Sequence, residues 1–272
     1  KKLGFNMLRK HAKIEPERFY YHCDQLGMLV WQDMVNGGSA YKHWFVTYLA
    51  TLMNWNHISF SDDEKHAGLL SRLHPEGKDE FRREITETIA FLYNHPSIVV
   101  WVPFNEGWGQ FDALAVCEQI RTLDSSRLVD HASGWFDQKG GDILSLHYYF
   151  LKLKFKPESK RAAALTEFGG YSLSIPGHSC CKKVYGYKKF NSTGTLTYGY
   201  IDLIRQTILP AVKKGIGATV YTQLSDIEEE TNGIYTYDRE ICKIDPDTLR
   251  KWNRALKEAG ECKTYADHTT DH

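Results

Sequence analysis

The stretch Ile98–Gly109, with the sequence IVVWVPFNEGWG, is the most informative segment of this chain. Five apolar residues lead through Pro103-Phe104 to the polar pair Asn105-Glu106 and then to a Gly/Trp loop. A short apolar run that ends at polar and glycine residues is typical of a strand buried on both faces. We therefore predict that Glu106 follows a buried parallel strand, on the face where α/β proteins place their chemistry.

The composition is that of one large α/β domain. The 272 residues are 42% hydrophobic and 13% aromatic, which is enough for a single large core. Lys+Arg and Asp+Glu number 34 each. The sequence has no basic stripe of the kind that would indicate nucleic-acid binding. The sequence has no apolar run of about 18 residues, so we expect no membrane span. No signal peptide is visible, and the compartment stays open between cytoplasm and periplasm, with the cytoplasm favoured.

The cysteines are widely spaced except for one adjacent pair. Because no C-x-x-C motif occurs, neither a zinc ribbon nor a redox motif is indicated, and we expect reduced, mostly buried thiols. We also expect no metal and no cofactor. The six are Cys23, Cys117, Cys180, Cys181, Cys242 and Cys262.

Seven short apolar segments alternate mostly with helical patterns, which indicates a parallel sheet. Each ends in a polar or aromatic cluster, as the strands of a TIM (β/α)8 barrel do at the active-site face. We predict such an α/β barrel over residues 1–260, lacking its first strand in this chain, and a loose tail at 261–272. A doubly wound sheet is the alternative, but the Gly-rich phosphate turn that it would bring after its first strand is missing. The predicted strands lie near 4–9, 28–32, 98–103, 128–131, 143–147, 162–166 and 217–222.

Helical periodicity predicts the segments between the strands. Apolar residues spaced 4, 4 and 3 apart indicate one buried helix face before His95; they are Phe81, Ile85, Ile89 and Leu92. We also predict a helix at 41–54, a long loop at 171–193, and a helix at 196–214 that Pro210 kinks near its end.

Two carboxylates follow predicted strands, Glu106 and Glu167. Across a shared pocket, such a pair has the chemistry of a glycosidase, in which one protonated carboxyl donates to the leaving oxygen and one ionised carboxylate attacks the sugar or activates water. Separations of roughly 5–5.5 Å and 6.5–9.5 Å give retention and inversion respectively. The alternative is that each is a solvated loop residue or a helix cap.

Several motifs are similar, in the same order, to those of one enzyme family. The chain resembles the catalytic barrel of glycoside hydrolase family 2, the family of β-galactosidases, β-glucuronidases and β-mannosidases. The matching segments are G-x-N-x-x-R at Gly4–Arg9, the helix and strand Phe19–Trp31, N-H-P-S-I at Asn94–Ile98, N-E at Asn105-Glu106, H-x-Y at His147–Tyr149, T-E-F-G at Thr166–Gly169, and the closing segments Tyr221–Asp226 and Asn232–Arg239.

The resemblance implies a retaining double displacement, with Glu106 as general acid/base and Glu167 as nucleophile. It implies that Asn105 hydrogen-bonds the sugar 2-hydroxyl and that Tyr149 and Arg9 keep the nucleophile ionised. The remaining implied contacts are sugar stacking by Tyr221 and Trp135 and hydroxyl binding by Asp33, Trp108, His147 and Gln223.

Structural roles are open for several of these residues. Arg9 can instead pair with a buried carboxylate, and His147 can be a core histidine. Trp108 and Trp135 can be loop anchors. Tyr149 is preferred to its neighbour Tyr148 only because the family spacing is H-x-Y.

The departures from the family bear on the substrate. Many relatives carry R-x-S-H-Y-P where this chain has Arg9–Lys13, so His11 is left without a role. No N-K-x-G segment of the kind that glucuronidases use is present, so we rank β-glucuronidase below β-galactosidase. The family's β-sandwich domains, the expected partners of the barrel, lie outside this chain.

Three functions therefore remain open. The favoured one is a retaining exo-β-glycosidase for terminal β-linked sugars, with galactosidase-like specificity preferred and mannosidase- or glucuronidase-like specificity as the alternative. The second is a glycan-binding barrel or a fragment inactive without its sandwich domains. The third is a metal hydrolase that uses His57, His66 and His74, although their spacing is unlike that of known metal motifs.

Overall fold

The predicted catalytic segment Asn105-Glu106 follows the third strand of a four-stranded parallel sheet. In this computed structural model the strands are β1 (Met7–Lys10), β2 (Leu29–Asp33), β3 (Ile98–Val102) and β4 (Leu128–Val129), in the order β1-β2-β3-β4. Residues 1–42, 44–55, 58–149 and 153–264 are described.

The chain divides into two units. The N-terminal unit comprises Asn6–Leu146 and Glu158–Ala162, and the C-terminal unit comprises Lys1–Phe5, His147–Pro157 and Ala163–His272. The β1–β4 sheet lies in the N-terminal unit.

Register places polar side chains at the ends of these strands. Arg9 is opposite Trp31, and Asp33 is opposite Val102 at the end of β3. Val100, Trp101 and Val102 are all at most 1% exposed, which confirms the buried strand predicted from the apolar run. Strand β4 is shorter than the predicted 128–131.

Three helices of the N-terminal unit follow from their apolar spacing. They are α1 (Glu17–Leu26), α3 (Pro75–Leu92) and α4 (Ala113–Leu123). The predicted face of α3, with Ile85 at its centre, is buried as expected. Gly27 ends α1 in the left-handed conformation, with φ 59°, which a residue without a Cβ adopts at little cost.

The predicted helix at 41–54 has two parts. Phe45–Leu49 forms a π-helical turn, and α2 (Ala50–Trp55) continues from it. Phe45 and Ala50 are buried in a cluster with Leu70 and Phe136, so this segment is part of the core.

The C-terminal unit contains a pair of parallel strands that carries Glu167. Strand β5 (Ile143–Tyr148) runs from one unit into the other. Strand β6 (Ala162–Gly169) pairs with β9 (Ile216–Thr222). The prediction of a loop at 171–193 is wrong in part, because β7 (Tyr171–Ser172) and β8 (Lys188–Lys189) pair in parallel there. Two-residue strands are too short for a periodic signal.

The predicted kink at Pro210 takes the form of a widened helix turn. Helix α5 (Thr193–Leu203) leads into a π-helical segment at Ile204–Ile208 and then into α6 (Leu209–Lys213). Pro210 has no N–H to donate and its ring crowds the preceding turn. The turn before Pro210 is wider than an α-helical turn, because the Leu209 N–H donates to the Ile204 carbonyl, five residues earlier.

The last helix, α7, spans Pro246–Thr264. It continues into the predicted loose tail, of which 265–272 lie outside the described residues. Among the residues that the structure describes, no helix is long and apolar enough to cross a membrane.

Candidate active site

Glu106 is presented by a tight turn after β3. Asn105 forms a bridge with Ser133, and the Glu106 N–H donates to the Ser133 carbonyl at 2.9 Å. Glu106 itself has φ 51°, a left-handed conformation that non-glycine residues adopt only where the surroundings enforce it. Gly107 follows with φ 71°, and a Cβ there would lie 2.2 Å from the Phe136 ring. The turn therefore needs glycine at 107, and it fixes the backbone position from which the Glu106 side chain extends.

Arg9, Asp33 and Asn105 form one hydrogen-bonded chain. The guanidinium of Arg9 donates to Asp33 through Nε (3.0 Å to Oδ1) and Nη2 (2.9 Å to Oδ2), and Nη2 also donates to Asn105 Oδ1 at 2.7 Å. The side chains of Arg9 and Asp33 are 2% and 3% exposed. Since Asn105 Oδ1 accepts from Arg9, the amide is oriented with Nδ2 as its donor.

Asp33 has a structural role, and its burial does not support the hydroxyl binding expected of it. Asp33 is buried and accepts from Arg9 and from His11, whose Nδ1 is 2.9 Å from Oδ2. Burial alone would raise the pKa of Asp33, but Arg9 and His11 together hold it below its ordinary value. A buried guanidinium needs a counter-charge, and Asp33 supplies it, which is the structural alternative left open for Arg9.

The two predicted tryptophans differ in exposure. Trp108 is 41% exposed, and its ring centroid is 5.0 Å from that of Tyr41. Trp135 is half-buried against the cluster of Phe45 and Phe136. Trp108 is thus open to a ligand, whereas part of the Trp135 ring anchors its loop.

Glu167 lies in β6 with two side chains of the β5 end beside it. Tyr149 donates its hydroxyl to Glu167 Oε2 at 2.6 Å, and the same hydroxyl lies 3.0 Å from Thr222 Oγ1. His147 Nδ1 is 3.6 Å from Glu167 Oε2, and its side chain is 2% exposed against 16% for Glu167. The phenol hydrogen bond favours the ionised carboxylate, as a nucleophile requires.

A second tyrosine holds Tyr149 in place. The rings of Tyr149 and Tyr187 are stacked, with centroids 4.0 Å apart. A Cβ at Gly170 would lie 2.3 Å from the Tyr187 ring. Tyr187 was not identified from the sequence, because it lies in the 171–193 segment, where no pattern distinguishes it.

Tyr221 does not have the exposed ring that sugar stacking needs. It is 8% exposed and makes edge contacts with Phe168 (5.5 Å) and Tyr200 (5.4 Å). Burial raises the pKa of its phenol far above the ordinary value. At Gly169 a Cβ would lie 2.4 Å from this ring, so the ring packs closely against the T-E-F-G segment, and its burial does not support the predicted sugar stacking.

Gln223 is half-buried beside a carboxylate that sequence reasoning missed. Its Nε2 donates to Glu230 Oε2 at 2.9 Å and to Asn232 Oδ1 at 2.6 Å. These contacts use the donor end of the amide and orient Oε1 as the acceptor for any hydroxyl. The Asn232-Gly233 motif was a signal for this segment, but nothing in it singled out Glu230.

A buried carboxylate in the N-terminal unit was also missed. Asp130 follows β4 and is fully buried. Burial raises its pKa to about 6, although the nearby Arg9, His131 and Ser145 act in the opposite direction. Only the end of a short apolar run marked this position in the sequence.

The histidine loop gives no support to a metal hydrolase. His66 Nδ1 is 2.9 Å from Asp63, and His74 precedes α3. Within 1–42, 44–55, 58–149 and 153–264, neither belongs to a group of residues able to hold a metal ion. His57 lies outside the described residues.

A match to a protein-family model shows which family the chain belongs to. Residues 1–208, more than half of the chain, match the model for the TIM barrel domain of family 2 glycosyl hydrolases. The chain belongs to glycoside hydrolase family 2. Its α/β fold is therefore the TIM barrel predicted from the strand exits.

Two curated relatives differ in how much of the chain they match. A β-galactosidase of Leuconostoc mesenteroides is 25% identical over 280 residues, covering 97% of this chain and 24% of that protein. The β-mannosidase B of Thermothelomyces thermophilus is 32% identical over 94 residues, or 35% of this chain and 8% of that protein. The chain thus spans a quarter or less of the length of these relatives.

Solved structures of the family share the fold. A β-galacturonidase from Eisenbergiella tayi, solved with galacturonate, has a TM-score of 0.62 and 18% identity, covering 93% of this chain and 45% of that one. A β-D-glucuronidase from Dictyoglomus thermophilum has a TM-score of 0.63 and 15% identity, with the same coverage. At these identities the likeness is one of fold.

Proposed function

We propose that this chain is the catalytic barrel of a retaining exo-β-glycosidase that hydrolyses terminal β-linked sugars, with β-galactosides preferred. The observation that carries the proposal is the 2.6 Å hydrogen bond from Tyr149 to Glu167, on the T-E-F-G motif of a family 2 barrel. A carboxylate held by a phenol donor is suited to attack an anomeric carbon.

The proposed reaction has two displacements at the anomeric carbon. Glu167 attacks that carbon while Glu106 gives its proton to the glycosidic oxygen, so the aglycone leaves and a glycosyl ester forms. Glu106 then takes a proton from water, which attacks the same carbon and releases Glu167. Two inversions leave the product with the configuration of the substrate.

Asn105 contributes at the 2-hydroxyl in this proposal. Arg9 fixes Asn105 Oδ1, which leaves Nδ2 to donate to the sugar oxygen. A contact prearranged in this way costs little to form as charge develops at the neighbouring anomeric carbon.

The preference for a β-galactoside rests on coverage. The β-galactosidase relative matches 97% of this chain, and no N-K-x-G segment is present. A β-mannoside is the second candidate, because the β-mannosidase B match reaches 32% identity over its 94 residues. The proposed binding partner is thus a carbohydrate substrate. β-Sandwich domains like those of the family remain a second predicted partner of the barrel.

The test is a panel of nitrophenyl β-glycosides with matched variants. We expect hydrolysis of the galactoside to exceed that of the mannoside and the glucuronide. Glu167→Gln should lower the rate by roughly a thousand-fold or more, because the nucleophile is lost, and Glu106→Gln should lower it by roughly a hundred-fold or more, because water attack then lacks its general base. Glu87→Gln, on an exposed face of α3 with 69% of its side chain exposed, should match the parent. Retention of the rate within a few-fold in both site variants would overturn the assignment.

A further inference from the structure

The adjacent cysteines Cys180 and Cys181 lie exposed with their sulfur atoms in contact. The Sγ–Sγ distance is 3.3 Å. The other described cysteines differ, since Cys23 and Cys117 are buried and Cys242 is half-buried. Among the five cysteines whose side chains are described, exposed thiols in contact with each other are therefore confined to this pair.

A second segment holds the pair in position. The Cys180 thiol donates to the Glu228 carbonyl at 3.1 Å, and Lys183 pairs with Glu229 at 3.1 Å. The backbone continues this contact, because Tyr185 N–H donates to the Glu229 carbonyl at 2.7 Å. These contacts hold the segment of the two thiols against residues 228–229, and the thiols lie close enough to be joined by an oxidant.

The charges facing the pair are mixed. The hydrogen bond between the two thiols raises the pKa of Cys181, and the nearby Glu229 and Glu228 act in the same direction. Lys182 and Lys183 follow directly in sequence. The raised pKa favours the protonated Cys181 thiol, and because attack on an oxidant requires the thiolate, that attack becomes faster as the pH rises.

We propose that Cys180 and Cys181 form a reversible dithiol modification site, which closes to a disulfide between neighbouring residues on reaction with a low-molecular-weight disulfide such as oxidised glutathione. One thiolate attacks a glutathione sulfur, forming a mixed disulfide and releasing one glutathione. The second protein thiolate then attacks the protein sulfur of that mixed disulfide and releases the second glutathione. The protein loses two electrons and two protons, and the glutathione disulfide gains both.

The closed form is easily reduced. Consecutive Cα atoms are about 3.8 Å apart across a trans peptide, whereas disulfides usually join Cα atoms about 4.4–6.8 Å apart. A bond outside that range is strained, and strained exposed disulfides are the labile ones. The site consequently responds to the thiol–disulfide balance and does not act as a permanent cross-link.

The test is mass spectrometry of the protein after exposure to oxidised glutathione. The tryptic peptide Ala162–Lys182 contains these two cysteines and no other. We expect it to lose two hydrogen atoms and to regain them with dithiothreitol. Cys242→Ser should behave as the parent, since Cys242 is half-buried elsewhere in the unit.

The single variants distinguish closure from simple modification. Cys180→Ser and Cys181→Ser should each stop at a stable mixed disulfide with glutathione, because no second thiol is adjacent. A parent protein that also stops at the mixed disulfide, or that keeps both thiols free, would overturn the proposal. Circular dichroism of the variants checks that they are folded, and the readout needs no enzymatic activity.

Discussion

At the scale of single residues, the contacts around Glu167 are the most informative. Its carboxylate accepts from the Tyr149 phenol and lies 3.6 Å from His147 Nδ1. The phenol in turn is fixed by stacking on Tyr187. The Tyr149 hydroxyl is thus placed both to stabilise the negative charge of Glu167 and to hold its carboxylate in position.

Replacing Tyr149 by Phe removes that hydroxyl and retains the ring. Hydrogen bonds to charged groups contribute about 1.5–3 kcal/mol, so Tyr149→Phe should lower kcat/KM by roughly 10- to 100-fold. Tyr148→Phe is the matched control, because it removes the neighbouring phenol hydroxyl and leaves the Tyr149–Glu167 hydrogen bond in place. Steady-state kinetics on a nitrophenyl β-glycoside gives the comparison. Equal rates for the two variants would exclude the role assigned to Tyr149.

Asp130 supplies a second prediction at this scale. Its pKa rises from an ordinary 3.8 to about 6 on folding. Between these values the folded state binds the extra proton, so this residue's contribution to stability is fully present below pH 4 and is lost as the pH rises through 6. The isosteric Asp130→Asn variant removes that loss.

We therefore expect the stability of Asp130→Asn, relative to that of the parent, to be greater at pH 7 than at pH 4 by about 2 kcal/mol. Urea unfolding of both proteins at the two pH values measures this difference. A difference that does not change with pH would show that Asp130 titrates normally in the folded protein.

At the scale of elements, the buried pair Arg9–Asp33 joins the ends of β1 and β2. Two hydrogen bonds connect the guanidinium to the carboxylate, and a third reaches Asn105 after β3. The pair therefore fixes the orientation of the segment that carries Glu106.

Asp33→Asn should be strongly destabilising. It removes the charged acceptor of two hydrogen bonds from the buried Arg9, and breaking such a buried pair costs about 3–5 kcal/mol. Glu118→Gln provides the control, since the Glu118–Arg121 pair is exposed and exposed pairs contribute at most about 1 kcal/mol. Chemical denaturation tests both. Similar small losses in the two variants would mean that the Arg9–Asp33 pair adds little to stability.

The elements also show what sequence reasoning can reach. Long periodic segments such as α3 and the apolar run of β3 were predicted from one feature each, because burial of a face or of a whole strand leaves a regular pattern. The π-helical turns, the pair β7–β8 and the shortened β4 were not predicted. Their geometry depends on tertiary contacts such as those of Phe45 and Phe136 and not on local spacing.

The candidate site follows the same division. Sequence motifs selected Glu106, Asn105, Glu167 and Tyr149 as candidates, because each lies at a fixed position within a motif. Asp33 and Tyr221 were given sugar contacts that their burial does not support, because exposure is decided by neighbours distant in sequence. Glu230 and Tyr187 were missed because they lie in irregular segments.

At the scale of the whole molecule, the chain is a family 2 barrel that spans only part of its relatives. Glu106 belongs to the N-terminal unit and Glu167 to the C-terminal unit. Each unit prepares its own carboxylate, through the Ser133 turn in one and the Tyr149 hydrogen bond in the other. In the proposed double displacement both are required in every catalytic cycle.

Trapping the glycosyl-enzyme with an activated 2-deoxy-2-fluoro-β-galactoside tests the proposed nucleophile most directly. Fluorine at C2 slows the second displacement by destabilising its positively charged transition state, so the ester accumulates. We predict one sugar adduct on peptide Ala162–Lys182, at Glu167, and none in Glu167→Gln. Hydrolysis of a β-galactoside with inversion of configuration, or an adduct on another residue, would contradict the proposed mechanism.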